Sequence, residues 1–96
     1  MSTIASSSCS HAEGDHTRAS GISSHAEGDH TIASGDYSHA EGHYNLSNLN
    51  TIHSVGIGFT ENDRKNAFEI MYDGKVYLYG IGGYNGTNPS SLNTLQ

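Results

Sequence analysis

A five-residue string, Ser-His-Ala-Glu-Gly, occurs at 10–14, 24–28 and 38–42, so that its copies stand fourteen residues apart. Midway between the copies lie Thr17-Arg18-Ala19-Ser20-Gly21 and Thr31-Ile32-Ala33-Ser34-Gly35, and Thr3-Ile4-Ala5-Ser6-Ser7 is a degenerate earlier copy. The underlying unit is therefore Ser/Thr-x-Ala-x-Gly plus two linking residues. Self-similarity at a fixed short period marks stacked units, each too small to bury a face alone. The heptad spacing of Ala5, Ala12, Ala19, Ala26, Ala33 and Ala40 also suits a coiled coil. Recurrent glycine argues against it, at a cost of about 1 kcal/mol each in a helix. Alternation over five positions fits a short strand, with Ser/Thr, Ala and Gly on one face and the variable pair on the other. Gly followed by Asp-His, Ile-Ser or Asp-Tyr supplies the turn. Two strands per repeat predict one coil of a parallel β-solenoid, or β-roll, with successive coils about 4.8 Å apart.

The interior of such a roll is narrow. Only 33% of the chain is hydrophobic and tryptophan is absent, so a large conventional core is not expected. Charged residues are only 15% of the chain and the pattern is strict, which favours ordered repetition over disorder. Alanine burial contributes far less than burial of Leu or Phe at about 25 cal/mol per Å². A few coils alone are not expected to offset their ordering entropy, and partner subunits are expected. The formal charge of −6, with Arg18, Arg64, Lys65 and Lys75 as the fixed cations, argues against nucleic acid as a partner. No apolar run reaches bilayer-spanning length, so membrane insertion is not expected, and the start of the chain lacks the pattern of a signal peptide. The single Cys9 has no internal disulfide partner and reads as an unpaired thiol in a turn.

The outward pairs divide the roll into two surfaces. The Thr-x-Ala strands present Ile4, Arg18 and Ile32, continued by Leu46, as a partly apolar stripe that Arg18 interrupts. The Ser-His-Ala-Glu-Gly strands present His11, His25 and His39 with Glu13, Glu27 and Glu41. The expectation is that the Ile-bearing stripe meets other subunits and the His/Glu surface faces water.

These repeats resemble the heads of YadA-like trimeric autotransporter adhesins and the similar Ser-His-Ala-Glu-Gly and Thr-x-Ala-Ser-Gly repeats of bacteriophage tail fibres. The resemblance covers residues 3 to 48. It extends to Ser54-Val55-Gly56-Ile57-Gly58, which is similar to the family's Ser-Val-Ala-Ile-Gly strand but two residues late, implying a register break near Asn45 to His53. "RKNAFEIMYDGKVYLYG" also looks like modules that follow such repeats in phage fibres. The resemblance implies a left-handed parallel β-roll with coils of about fourteen residues, assembled as a homotrimer, in a virion tail fibre or on a bacterial cell surface. It implies attachment to a cell-surface receptor, a glycan or a matrix protein. It does not identify the receptor.

Residues 1–49 thus form the repeat segment, and 50–96 a final strand, a hairpin cap and a C-terminal loop with the start of a short helix at Asn88 and Pro89. The hairpin runs from 67 to 79 about Asp73-Gly74. Read as a two-residue turn, this sets Tyr72 opposite Lys75, Ile70 opposite Tyr77 and Phe68 opposite Tyr79, and puts Met71, Val76 and Leu78 on the other face. Two apolar faces call for burial between roll and neighbours as an end cap. Val55, Ile57, Phe68, Ile70 and Tyr77 therefore join Ile4, Arg18, Ile32 and Leu46 as expected trimer-interface residues. Both ends read as cuts within a longer fibre.

The candidate binding surface is the His/Glu ladder with the aromatic loop at Tyr84. Imidazole and carboxylate ligate divalent metals, but a solvated polar ladder arises in any repeat, so the sequence reading assigns no metal and no cofactor. The same holds for His16 and His30 in turns. Abundant Ser, His and Asp do not make a triad, and neither a Gly-x-Ser-x-Gly elbow nor a His-Glu-x-x-His helix occurs, so no enzyme is expected. "GIGGYNG" at 80–86 lacks the last glycine of a dinucleotide fingerprint and reads as a loop. The reading is a structural, receptor-binding segment of a trimeric fibre. The alternatives are an ice-binding or a metal-binding β-solenoid, the former disfavoured because the hydroxyls share the inward face with alanine.

Overall fold

The computed structural model describes residues 2–79. The expectations for the loop at 80–86, Tyr84 and the helix start at Asn88 fall outside the described residues. Every regular element among those described is a strand: β1 (Ile4–Ala5), β2 (His11–Asp15), β3 (Arg18–Ala19), β4 (His25–Asp29), β5 (Ile32–Ala33), β6 (His39–His43), β7 (Thr51–Ile57), β8 (Asn66–Met71) and β9 (Val76–Leu78). They form a three-stranded sheet, β1-β3-β5, and a six-stranded sheet, β2-β4-β6-β7-β8-β9. β1 to β7 pair in parallel within their sheets, while β8 and β9 add antiparallel. The chain is thus a β-solenoid of roughly four turns with a hairpin laid on its last strand.

The register is the repeat made physical. Ala5 pairs with Ala19 and Ala19 with Ala33 in one sheet, and Ala12 with Ala26 and Ala26 with Ala40 in the other. Ala19, Ala26, Ala33 and Ala40 are the buried apolar core, and the largest fully buried side chains are Asn45, Thr17, Thr31 and Ser24. At about 0.8 kcal/mol per buried CH₂, such a core contributes little, so the stack depends on hydrogen bonds between rungs. The repeated serine closes one corner in each coil: Ser10, Ser24 and Ser38 Oγ donate to the carbonyls of Ser7, Gly21 and Gly35 at 2.7, 2.7 and 2.5 Å. At the end of each seven-residue unit the chain turns through the left-handed region, at Cys9, His16, Ser23, His30, Tyr37 and Tyr44. Cys9 is an exposed free thiol.

The expected inner face is corrected at one position. Thr17, Ala19 and Gly21 are all buried, but Gly28 is exposed although Ser24 and Ala26 are not. Gly14, Gly28 and Gly42 take φ of 108°, 109° and 96° and turn out of the alternation. A Cβ on Gly28 would lie 2.0 Å from the carbonyl oxygen of Gly42, so glycine is needed there for backbone approach rather than for filling the interior.

The predicted break before Ser54 does not occur. His39 pairs with His53, Ala40 with Ser54, Glu41 with Val55 and Gly42 with Gly56, which preserves the fourteen-residue spacing. Ser54 occupies the alanine slot and accepts a hydrogen bond from Asn45 Nδ2 at 3.1 Å, a contact that a two-residue slide would remove. The irregularities of β7, between Thr51 and His53 and between Val55 and Gly56, lie in its antiparallel pairing with β8 rather than in its pairing with β6. β7 therefore belongs to the stack as its last parallel strand.

The hairpin register is also corrected, by one residue. Phe68 pairs with Leu78, Glu69 with Tyr77 and Ile70 with Val76. Gly74 N–H bonds the Met71 carbonyl at 2.9 Å and Met71 N–H bonds that of Lys75 at 2.9 Å, enclosing a three-residue loop. Gly74 at φ 93° takes the left-handed position such loops require. Val76 and Leu78 consequently share a face with Phe68 and Ile70.

Two asparagines end the three-stranded sheet. Asn45 stands one repeat beyond Thr31, but its carboxamide replaces a strand: Oδ1 accepts Ile32 N–H at 2.7 Å and Nδ2 donates to Ile32 O at 2.9 Å. Asn66 treats Leu46 in the same way, at 2.8 and 3.0 Å. Arg64 Nη1 donates to the carbonyls of His30 and Asn45 at 2.8 and 3.2 Å, with its guanidinium 5.5 Å from the centre of the Tyr44 ring. The Tyr72 hydroxyl ties the hairpin to the third coil by donating to the Asp36 carbonyl, and desolvation raises its pKa above the ordinary value.

Candidate functional site

Parallel in-register strands place identical side chains above one another, so the fourteen-residue period converts one His and one Glu into a continuous surface. On the outer face of the six-stranded sheet the imidazoles of His11, His25, His39 and His53 follow one another with centroids 4.5, 4.7 and 4.9 Å apart. His53 was missed from the sequence because aligning Ser54 with the repeat serine drew attention from it, although it stands one period after His39. Carboxylates interleave with the rings. His11 Nε2 lies 3.4 Å from Glu13, His39 Nε2 3.1 Å from Glu27, and His53 Nε2 3.1 Å from Glu41. The hydrogen bond with His11 is the largest influence holding the Glu13 carboxyl below its ordinary value. The expected His/Glu residues are therefore brought together, and those from His25 onward are half-buried against their own neighbours rather than freely solvated.

The same face becomes apolar towards the hairpin. Val55 replaces Glu41 in register, Phe68 pairs with Val55, Ile70 pairs with His53, and the Phe68 ring meets that of His53 edge-on at 5.9 Å. The residues expected at a trimer interface are distributed over more than one face. Val55, Phe68 and Ile70 lie on the His/Glu face, because side chains alternate along this part of β7 and share a face with their β8 partners, whereas Ile4, Arg18 and Ile32 lie on the other sheet's line and Ile57 lines one cavity with Leu46, Asn66, Glu69 and Tyr79. Tyr77 pairs with Glu69, on the opposite side from Phe68. Glu69 is buried and receives Asn66 Nδ2 at 2.6 Å.

A second ladder runs along the turns. His16 and His30 stack at 4.6 Å, His30 and Tyr44 at 4.4 Å, and Arg64 covers Tyr44. His16 and His30 each bond the preceding aspartate through Nδ1 at 2.5 Å, which fixes their rings along the corner. Tyr44 was legible as the residue one period after His30, and Arg64 carried no repeat signal.

The first ladder has the donor chemistry of a metal site. In His11, Glu13 and His25, and again in His25, Glu27 and His39, one donor atom from each residue lies within 4.8 Å of the others. No family model matches the sequence, and no curated protein or solved structure matches the chain.

Proposed function

We propose that this chain is a rigid display segment of a fibrous surface protein, a virion tail fibre or a bacterial adhesin. In this reading it works as a homotrimer that attaches multivalently to a cell-surface receptor, a glycan or a matrix protein. The observation that carries it is the unbroken register from His11 to His53 over a core in which, among the described residues, alanine is the only fully buried apolar residue. Such a stack gains little from apolar burial, while its outer surface repeats identical groups at strand spacing. Association supplies the missing burial. Ile4 and Leu46 are 44% and 52% exposed at the two ends of the stripe that includes Arg18 and Ile32, and three such stripes facing a common axis would be covered. A ladder presented by three parallel chains then multiplies weak contacts through effective concentration, so no single rung needs high affinity.

The ice-binding alternative draws no support from the hydroxyls of Thr17, Thr31 and Ser24, which are buried. The test is a glycan array and host-cell binding assay on the assembled protein, comparing it with a variant carrying Glu13→Gln, Glu27→Gln and Glu41→Gln. The proposal expects binding that weakens in the variant at unchanged oligomer mass. Thermal hysteresis without any cell or glycan binding contradicts it.

A further inference from the structure

The rings at either side of His25 have hydrogen-bonded carboxylates, and His25 does not. Its Nε2 is shielded from solvent and has no hydrogen-bond partner. It sits between two carboxylates, 3.8 Å from Glu13 and 3.9 Å from Glu27. A lone pair held there faces negative charge, and an N–H held there reaches neither oxygen at bonding distance. A cation at this point resolves both difficulties. We propose that the His/Glu ladder is a binding site for a divalent transition-metal ion of the zinc type, held by His25 Nε2 together with either His11 and Glu13 or Glu27 and His39.

Magnitudes favour this assignment. Zinc binds imidazole nitrogen and carboxylate oxygen at about 2.0–2.2 Å, which places tetrahedral donors about 3.3–3.6 Å apart. Glu13 lies 3.4 Å from His11 through Oε1 and 3.8 Å from His25 through Oε2, Glu27 lies 3.9 Å from His25 through Oε1 and 3.1 Å from His39 through Oε2, and one donor atom from each residue of a triad lies within 4.8 Å of the others. Binding therefore draws the donors of a triad together from within 4.8 Å by rotation of partly exposed side chains. The donor set, two nitrogens and one oxygen, suits zinc, nickel or copper rather than calcium or magnesium, which require oxygen ligands. Nε2 of His25 has one lone pair, so the two overlapping triads take one ion between them. The inference does not depend on the attachment role, since it concerns the ladder within a single chain.

The test is calorimetric titration of the EDTA-treated full chain with zinc sulfate, with the stoichiometry read by native mass spectrometry. The expected result is one zinc per chain across these triads. His25→Gln should weaken binding at least tenfold, and the double variant Glu13→Gln, Glu27→Gln should do likewise. His16→Gln, on the turn ladder, should bind as the parent does, and calcium should give no comparable heat. Circular dichroism in EDTA verifies that each variant keeps its strands. Absence of zinc uptake by the parent, or uptake undiminished in both the His25→Gln protein and the double variant, overturns the proposal.

Discussion

Asn45 holds Ile32 with its side chain instead of its backbone, presenting Oδ1 to the Ile32 N–H at 2.7 Å and Nδ2 to the Ile32 carbonyl at 2.9 Å. A carboxamide has the donor and acceptor of a peptide group, so this residue ends a sheet without leaving its last strand unsatisfied. Asn45→Asp keeps the size but removes the donor and sets a carboxylate against the Ile32 carbonyl. The expected loss is about 1–3 kcal/mol for each buried group left unpaired. A fall in the urea midpoint at unchanged slope would verify this, and an unchanged midpoint would remove Asn45 as the sheet terminator.

Gly28 and Gly74 both have positive φ, at 109° and 93°, but only Gly28 is crowded by backbone. Gly28→Ala forces its methyl against the Gly42 carbonyl and should abolish the cooperative strand signal in thermal unfolding. Gly74→Ala meets open space and carries only the conformational cost, about 1–2 kcal/mol. Equal effects of the two substitutions would show that strand approach is not the limiting contact.

Acid should weaken the His/Glu face through Glu13. Its folded pKa lies below the ordinary 4.5, first because of the hydrogen bond with His11, with Glu27 and His25 adding smaller influences. A depressed carboxyl stabilises the fold above its unfolded pKa, and that contribution is lost as pH falls through the folded value. Stability measured from neutral pH to below 4.5 should decline less in Glu13→Gln than in the parent. Parallel acid profiles would contradict this linkage.

The hairpin correction is testable by cross-linking chemistry. The observed register sets Phe68 opposite Leu78, so Phe68→Cys with Leu78→Cys should oxidise to an intramolecular disulfide in the otherwise Cys9→Ser chain. Phe68→Cys with Tyr79→Cys, the pairing of a two-residue turn, should form it poorly, since adjacent positions point to opposite faces. The reverse preference would restore the shorter loop.

Much of this architecture is legible because repetition acts on every coil alike. Ala19, Ala26, Ala33 and Ala40 are inside, as their spacing requires, and the turn falls at the same point of each seven-residue unit. What eludes the sequence is where the repeat stops being literal. Ser54-Val55-Gly56 imitates the start of a unit, yet the strand is placed by His53 stacking on His39 and by Ser54 filling an alanine slot. Asn45 and Asn66 act through side chains that no strand pattern encodes. Asp73-Gly74 reads as a two-residue turn, while the fold uses Gly74 as the last residue of three. The His/Glu ladder was visible as a list of residues, but the unsatisfied His25 nitrogen between two carboxylates depends on side-chain geometry.

Mass in solution tests the central claim most directly, namely that so thin a stack persists through association. Native mass spectrometry combined with light scattering on the intact chain should give three chains per particle, with unfolding that shifts to higher temperature as protein concentration rises. A cooperatively folded, strand-rich monomer whose unfolding temperature does not change with concentration would contradict the account.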